Sequence, residues 1–254
     1  MVQRRINAIA NSVLASLSEE TYQRLEPHLR VNGYLLGRTL YHPYEPIVEI
    51  YFPTTALLSW ISLLEDGTIT EIALVGNTGF TGLAALWGGR YTPNSLIVQM
   101  AGDVISIDAE IAKREFQMNS EFNRVLSRYA QALFAQMSQN VACNRHHTTE
   151  ERLARWLLSV QDSVQQTEQA IAQGQATGIG YMPSRELALT QDFMAKMLGV
   201  RRSSISISAG ILQQAGIIRY SRGRLAILDR KRLEEVACEC YRLIKDEYAR
   251  LFSD

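Results

Sequence analysis

Gln191-Asp192-Phe193-Met194-Ala195-Lys196-Met197-Leu198-Gly199-Val200-Arg201-Arg202-Ser203-Ser204-Ile205 is the stretch on which the reading of the chain turns. A helix-turn-helix needs a small residue where its two helices cross, and Ala195 supplies one. Four residues later the turn needs a backbone of positive φ, which strains any residue bearing a Cβ, and Gly199 stands there. Met194, Leu198, Val200 and Ile205 fall where apolar side chains lock both helices onto the domain. Thr190 is placed to cap the first helix. Short Ala-x3-Gly-x5-Ile matches arise by chance, but rarely with all these flanking features.

The chain beyond this stretch strengthens the motif. A second helix is expected from about Arg201 to Gln214, ending at Ala215-Gly216, where glycine suits a C-terminal cap. Ile217 to Tyr220, then Ser221-Arg222-Gly223-Arg224, then Leu225 to Leu228 read as a small hairpin with Arg222 and Arg224 at its tip. Such a wing lies along phosphates and adds salt-dependent affinity without sequence information. If Ile205 faces inward, then Arg201, Arg202, Ser203, Ser206 and Ile207 face outward. Arg202 is the expected base reader, bidentate to a guanine edge, with Ile207 set to meet a thymine methyl. Arg201 is suited to a phosphate, and Ser203 and Ser206 to bases or phosphates. Thr190, Gln191, Ser204 and Arg219 complete the expected DNA-contact set.

Charge supports this placement. The chain as a whole is neutral, with 26 basic and 26 acidic residues. From Arg185 to Arg232, however, ten basic residues (Arg185, Lys196, Arg201, Arg202, Arg219, Arg222, Arg224, Arg230, Lys231, Arg232) face only Glu186, Asp192 and Asp229. A basic segment inside a neutral chain is an electrostatic footprint for nucleic acid.

The rest of the 254 residues divides by periodicity. The first thirty residues read as short helix, with Ser18 placed as a cap. From Gly33 to about Ile107 come short β-branched and aromatic runs: Tyr51-Phe52-Pro53, Ala56 to Leu64, Ile69 to Val75, Ser95 to Met100 and Val104 to Ile107. Asp66-Gly67 between two of them is a hairpin signal. After Asp108 the period becomes helical for some thirty residues without proline or glycine. Phe122, Leu126, Tyr129, Leu133 and Met137, continued by Asn140 and Asn144, form a narrow seam read as a dimer interface. A break is expected near Cys143 to Thr149, with a capping box from Thr148 to Glu151. A helix through Leu153, Trp156, Leu157 and Val160 follows, and Gln165 to Gly180 reads as a polar connection. The fold expected is α+β: an antiparallel β-roll with N-terminal helices over 1–109, a dimerisation helix over 110–147 and a winged helix-turn-helix over 148–254.

This order resembles the Crp/Fnr superfamily of transcription regulators. The resemblance rests on Tyr51-Phe52-Pro53, Gly79-Phe80-Thr81-Gly82-Leu83, Ala142 to Arg145 leading to Glu151 through Leu158, and Leu189-Thr190-Gln191. It continues through Leu198 to Arg202, Gln213 to Tyr220, Ile227 to Arg230 and Cys238-Glu239-Cys240-Tyr241. It implies a cyclic-nucleotide-binding-like jelly roll, a homodimer, double-stranded DNA with two inverted half-sites, and RNA polymerase as a further partner. An effector pocket would then fall near Gly82, Leu83, Trp87, Thr92, Asn94 and Tyr129. The departures are as informative. Cyclic-nucleotide binders carry Gly-Glu where this chain has Gly82-Leu83, and leucine cannot accept a ribose hydroxyl. The phosphate-holding arginine is also missing near Tyr91-Thr92-Pro93-Asn94, with only Arg90 close by. The chain therefore looks like a subgroup without the usual nucleotide or iron–sulfur residues. Its effector is unknown or absent, the alternative being a small nucleotide held in the roll by unconventional contacts.

No cofactor and no metal site are expected. The three cysteines are Cys143, Cys238 and Cys240, none of them N-terminal. Read as one helix, Cys238 and Cys240 would point to nearly opposite faces. His146 and His147 read as surface residues of a hinge, and His42 stands alone among the strands. Cysteine usage and the lack of a signal peptide suit the cytoplasm, and no apolar run reaches the roughly 20 residues of a membrane span. An enzyme built on the roll lacks a Gly-rich phosphate loop, clustered histidines and a nucleophile elbow.

Overall fold

The computed structural model describes residues 10–173 and 186–251. Two short helices, α1 (Ser12–Ala15) and α2 (Glu19–Leu25), open it and are capped by the side chains of Asn11 and Ser18. Asn11 is fully buried, and its amide donates to the Pro53 and Gly79 carbonyls at 2.8 and 2.9 Å. Every polar group of this side chain is thereby matched, so a buried amide anchors the first turn to the roll.

The roll contains β1 (Arg30–Tyr34), β2 (Thr39–Tyr41), β3 (Glu49–Pro53), β4 (Leu57–Leu63), β5 (Ile69–Val75), β6 (Ser95–Met100) and β7 (Gly102–Asp108), with a one-turn helix α3 (Leu83–Leu86). They form two antiparallel sheets, β1-β7-β3 and β2-β6-β4-β5. The β4–β5 hairpin turns at the expected Asp66-Gly67: Gly67 has φ 82°, and Asp66 accepts from the Thr68 amide at 2.9 Å.

The helical region after the roll is two helices where one was expected. α4 (Ala109–Met118) and α5 (Ser120–His146) are separated by Asn119, whose side chain accepts from the Phe122 amide and starts a new helix. The expected dimer seam is also corrected. Phe122, Leu126, Tyr129 and Leu133 are buried in the core of their own chain, with Val13, Leu14, Phe52 and Phe80. Met137 packs against the same core, and Asn140 donates to the Ile72 carbonyl at 2.9 Å. Asn144 alone of that set is exposed. The seam was narrow because one small roll covers it. The opposite face carries Ser127, Gln131, Phe134, Ser138, Val141 and Arg145, all exposed at alternating spacings of four and three. Phe134 and Val141, seven residues apart, are 70% and 72% exposed.

α5 ends at His146 with His147 as its C-cap, and α6 (Thr149–Ala172) begins with the expected capping box: Thr148 and Glu151 exchange bonds of 2.8 and 3.3 Å. α6 runs past Gln165, contrary to the expected connection, because Gln, Glu and Ala there favour helix and the first glycine is Gly174. The remainder of that connection, and Arg185, lie outside the described residues.

The C-terminal part holds β8 (Leu187–Ala188), α7 (Gln191–Leu198), α8 (Arg202–Gln214), β9 (Ile218–Ser221) and β10 (Arg224–Ile227), with sheet order β8-β10-β9. α9 (Arg230–Val236) and α10 (Cys240–Leu251) follow. Trp156, Leu157, Met194, Leu198, Ile205, Leu212 and Leu225 form a second core, which Leu57 and Ile61 of β4 join. The winged helix is thus packed on the roll. α10 does not stay with the wing: Leu251 enters the roll's core, and the Tyr248 hydroxyl donates to Gln136 of α5 at 3.2 Å.

Candidate nucleic-acid interface

α7 is capped by Thr190, whose Oγ1 accepts from the Phe193 amide at 3.1 Å. It ends at Gly199, with φ 61°. A Cβ there would also come within 2.8 Å of Thr70 Oγ1, so glycine is required twice, for its conformation and for the approach to β5. Met194, Leu198 and Ile205 are buried and Val200 is half-buried. α8 starts at Arg202, one residue later than expected, because Arg201 is its N-cap.

The outer face of α8 is free. Arg201, Arg202, Ser203, Ser206 and Ile207 are exposed, Ile207 to 65%, and Ser204 is half-buried. Ile211, which the sequence reading omitted, extends this apolar strip at 44% exposure. Arg202 Nε lies 3.4 Å from Asp192 Oδ1 on α7, both side chains 67% exposed. An exposed pair of this kind contributes at most about 1 kcal/mol, so it orients Arg202 without holding it from another partner.

The wing is the expected hairpin. Its two-residue turn has Arg222 at φ 51° and Gly223 at φ 75°, the consecutive positive angles that match strand twist. Arg219, Ser221, Arg222, Arg224 and Glu186 line a recess of about 320 Å³ at its edge. Arg219 is paired with Glu186 at 3.0 Å, so one of the three arginines arrives partly neutralised. Thr190 is exposed and Gln191 half-buried at the N-terminal end of α7.

The six expected pocket residues do not converge. Gly82 and Leu83 border a cavity of only about 10 Å³ in the roll, too small for any nucleotide. Phe80 lines that space and packs on Tyr129, their ring centroids 4.8 Å apart, and Tyr129 is fully buried. Trp87 is 62% exposed, and Thr92 and Asn94 bond to one another in a loop. Tyr129 instead borders a larger cavity, about 320 Å³, between α5, α6 and α10. Gln136, Asp162, Tyr241, Lys245 and Tyr248 also line it. Its visibility depended on α10 folding back, which local sequence does not signal.

At the roll–wing junction Glu71 of β5 accepts from Ser59 Oγ at 2.7 Å and Trp156 Nε1 at 3.0 Å. Burial pushes its carboxyl up to about 6, opposed by the Ser59 and Trp156 bonds and by nearby Arg155.

The cysteines overturn the expectation that no ligand set exists. Cys238 is not on a helix: α9 ends at Val236, α10 starts at Cys240, and the break turns both thiols the same way. Cys143, His147, Cys238 and Cys240 place their four ligand atoms within 4.8 Å of one another.

Residues 151–236 match the family model of the Crp-like helix-turn-helix domain. This part of the chain is therefore a Crp-like helix-turn-helix domain. The whole fold agrees. FixK2 from Bradyrhizobium japonicum has TM-score 0.64 at 16% identity, over 83% of this chain and 98% of its own. A Crp/Fnr-family transcriptional regulator from Eubacterium rectale has TM-score 0.65 at 18% identity, over 89% and 98%. The c-di-GMP responsive global regulator CLP of Xanthomonas campestris has TM-score 0.61 at 14% identity, over 83% and 99%. No curated protein matches the chain. No helix among the described residues is long and apolar enough to cross a membrane.

Proposed function

We propose that the protein is a homodimeric, sequence-specific DNA-binding regulator that reads an inverted repeat through α8 and has no enzymatic chemistry of its own. The observation that carries this reading is the free outer face of α8, from Arg201 to Ile211, flanked by the basic wing on a buried scaffold. Arg202 reads a guanine edge, Ile207 meets a thymine methyl, and Arg201, Arg222 and Arg224 bind phosphates. Thr190, Gln191, Ser203, Ser204, Ser206 and Arg219 complete the contact surface. Two copies pair through the outer face of α5, around Phe134 and Val141, and RNA polymerase is the further partner. Activity belongs in the cytoplasm.

The filled roll favours a regulator that needs no nucleotide there. Among the described residues a small effector has room in the cavity between α5, α6 and α10. Selection of bound duplexes from a random library, with no ligand added, tests the reading. Enrichment of a two-fold symmetric site supports a constitutive dimeric reader. Weak salt-sensitive binding to all duplexes, unchanged by any candidate nucleotide, overturns it.

A further inference from the structure

We propose that Cys143, His147, Cys238 and Cys240 form a tetrahedral zinc site that clamps the end of α5 to the segment joining α9 and α10. Cys143 and His147 lie four residues apart at the end of α5, hence on one face. Cys238 lies in the break between the last two helices and Cys240 opens α10, with Glu239 between them. Two pairs distant in sequence thus meet at the hinge between the long helix and the DNA-binding domain.

The distances fit a metal. Cys143 Sγ lies 3.5 Å from Cys238 Sγ, and Cys240 Sγ lies 3.5 Å from His147 Nδ1. Zinc with tetrahedral ligands at its usual bond lengths separates two sulfurs by about 3.8 Å and sulfur from nitrogen by about 3.6 Å. A disulfide would use two of these groups and leave a third thiol and an imidazole aimed at it. Packing of cysteines as small apolar groups does not account for the imidazole either.

The surroundings are those of a ligand set. His147 turns Nδ1 inward while Nε2 is held by Glu239 at 3.1 Å, the carboxylate–histidine arrangement that fixes a metal-binding ring. Gln139 Nε2 donates to Cys240 Sγ at 3.1 Å. Three thiolates and one Zn²⁺ leave a single negative charge. Arg152 and Arg155 are buried beside it, each with Nε lacking a hydrogen-bond partner among the described residues. Arg152 also donates to the Leu198 carbonyl and Arg155 lies near Glu71, and a negative cluster adds a charged partner beside the two free Nε groups. The three cysteines are buried and all four positions are filled by protein, so the site is structural rather than catalytic.

The full-length chain, purified under reducing conditions without chelator, should contain about one zinc per chain and be colourless. After metal removal, Co²⁺ should give intense thiolate charge-transfer and tetrahedral d–d bands, bleached by an equivalent of Zn²⁺. His147→Ala, at the rim of the core, should weaken Co²⁺ binding at least tenfold and alter the d–d bands while the chain stays folded. A folded, fully reduced chain with no zinc and no tetrahedral cobalt spectrum overturns the site. So does stoichiometric iron or copper in place of zinc, or a Cys143–Cys238 disulfide that persists in reductant. This measurement does not involve DNA, so it stands or falls apart from the proposed function.

Discussion

Gly199 joins two requirements at one Cα, a positive φ and a close approach to Thr70. Gly199→Ala should therefore cost about 1–3 kcal/mol in chemical denaturation, of which Thr70→Ala recovers only the steric part. Full recovery by the second substitution would show that backbone conformation is not what selects glycine. On the recognition face, Arg202 and Arg222 differ in what they touch rather than in charge. Arg202→Ala should cost about 1–3 kcal/mol at one symmetric base position and relax preference there. Arg222→Ala should weaken all sequences alike and lower the salt slope by about one. Equal losses on specific and random duplexes for both variants would remove the distinction.

At the scale of the element, α5 carries two apolar stripes with opposite fates. Leu133 is 3% exposed and faces the roll, so Leu133→Asp should unfold the chain, at about 4 kcal/mol or more, whatever its oligomeric state. Phe134→Asp, one residue on, should leave the melting of the monomer nearly unchanged and halve the mass seen by light scattering. An unchanged mass for Phe134→Asp would exclude the outer face of α5 as the dimer contact. The helix break between α5 and α6 is likewise a local property, set by the Thr148–Glu151 capping box.

Across the whole molecule, Glu71 links roll and winged helix, and its ionisation opposes their docking. Its folded pKa of about 6 is raised above the ordinary 4.5, so stability is full below pH 4.5 and falls as pH rises to about 6. The loss at neutral pH is at most about 2 kcal/mol, reduced because part of the residue is open to water. Glu71→Gln, which keeps an acceptor for Trp156, should raise the denaturation midpoint at pH 7.5 and leave it unchanged at pH 4. An equal gain at both values would mean that packing, not charge, sets the effect.

The winged helix was legible in the sequence because its signals are local. Thr190, Ala195, Gly199 and Ile205 each answer a geometric demand within a few residues, and the wing's turn is announced by Arg222-Gly223. Strands β3 to β7 of the roll and the Thr148 cap were legible for the same reason, whereas β1 and β2, short and poor in apolar runs, were not picked out. Only tertiary structure decided what lies far apart along the chain. Periodicity showed that α5 has an apolar seam, but a period cannot say whether that seam faces its own roll or a second copy. The pocket residues belonged to a fold family, yet Phe80, Trp60 and Leu133 close in on the space because side-chain volume is settled in three dimensions. Cys238 and Cys240 seemed opposed while they were counted along one helix. The break after Val236 turns them together, and the 95-position separation of Cys143 and Cys238 vanishes when α10 folds back along α5.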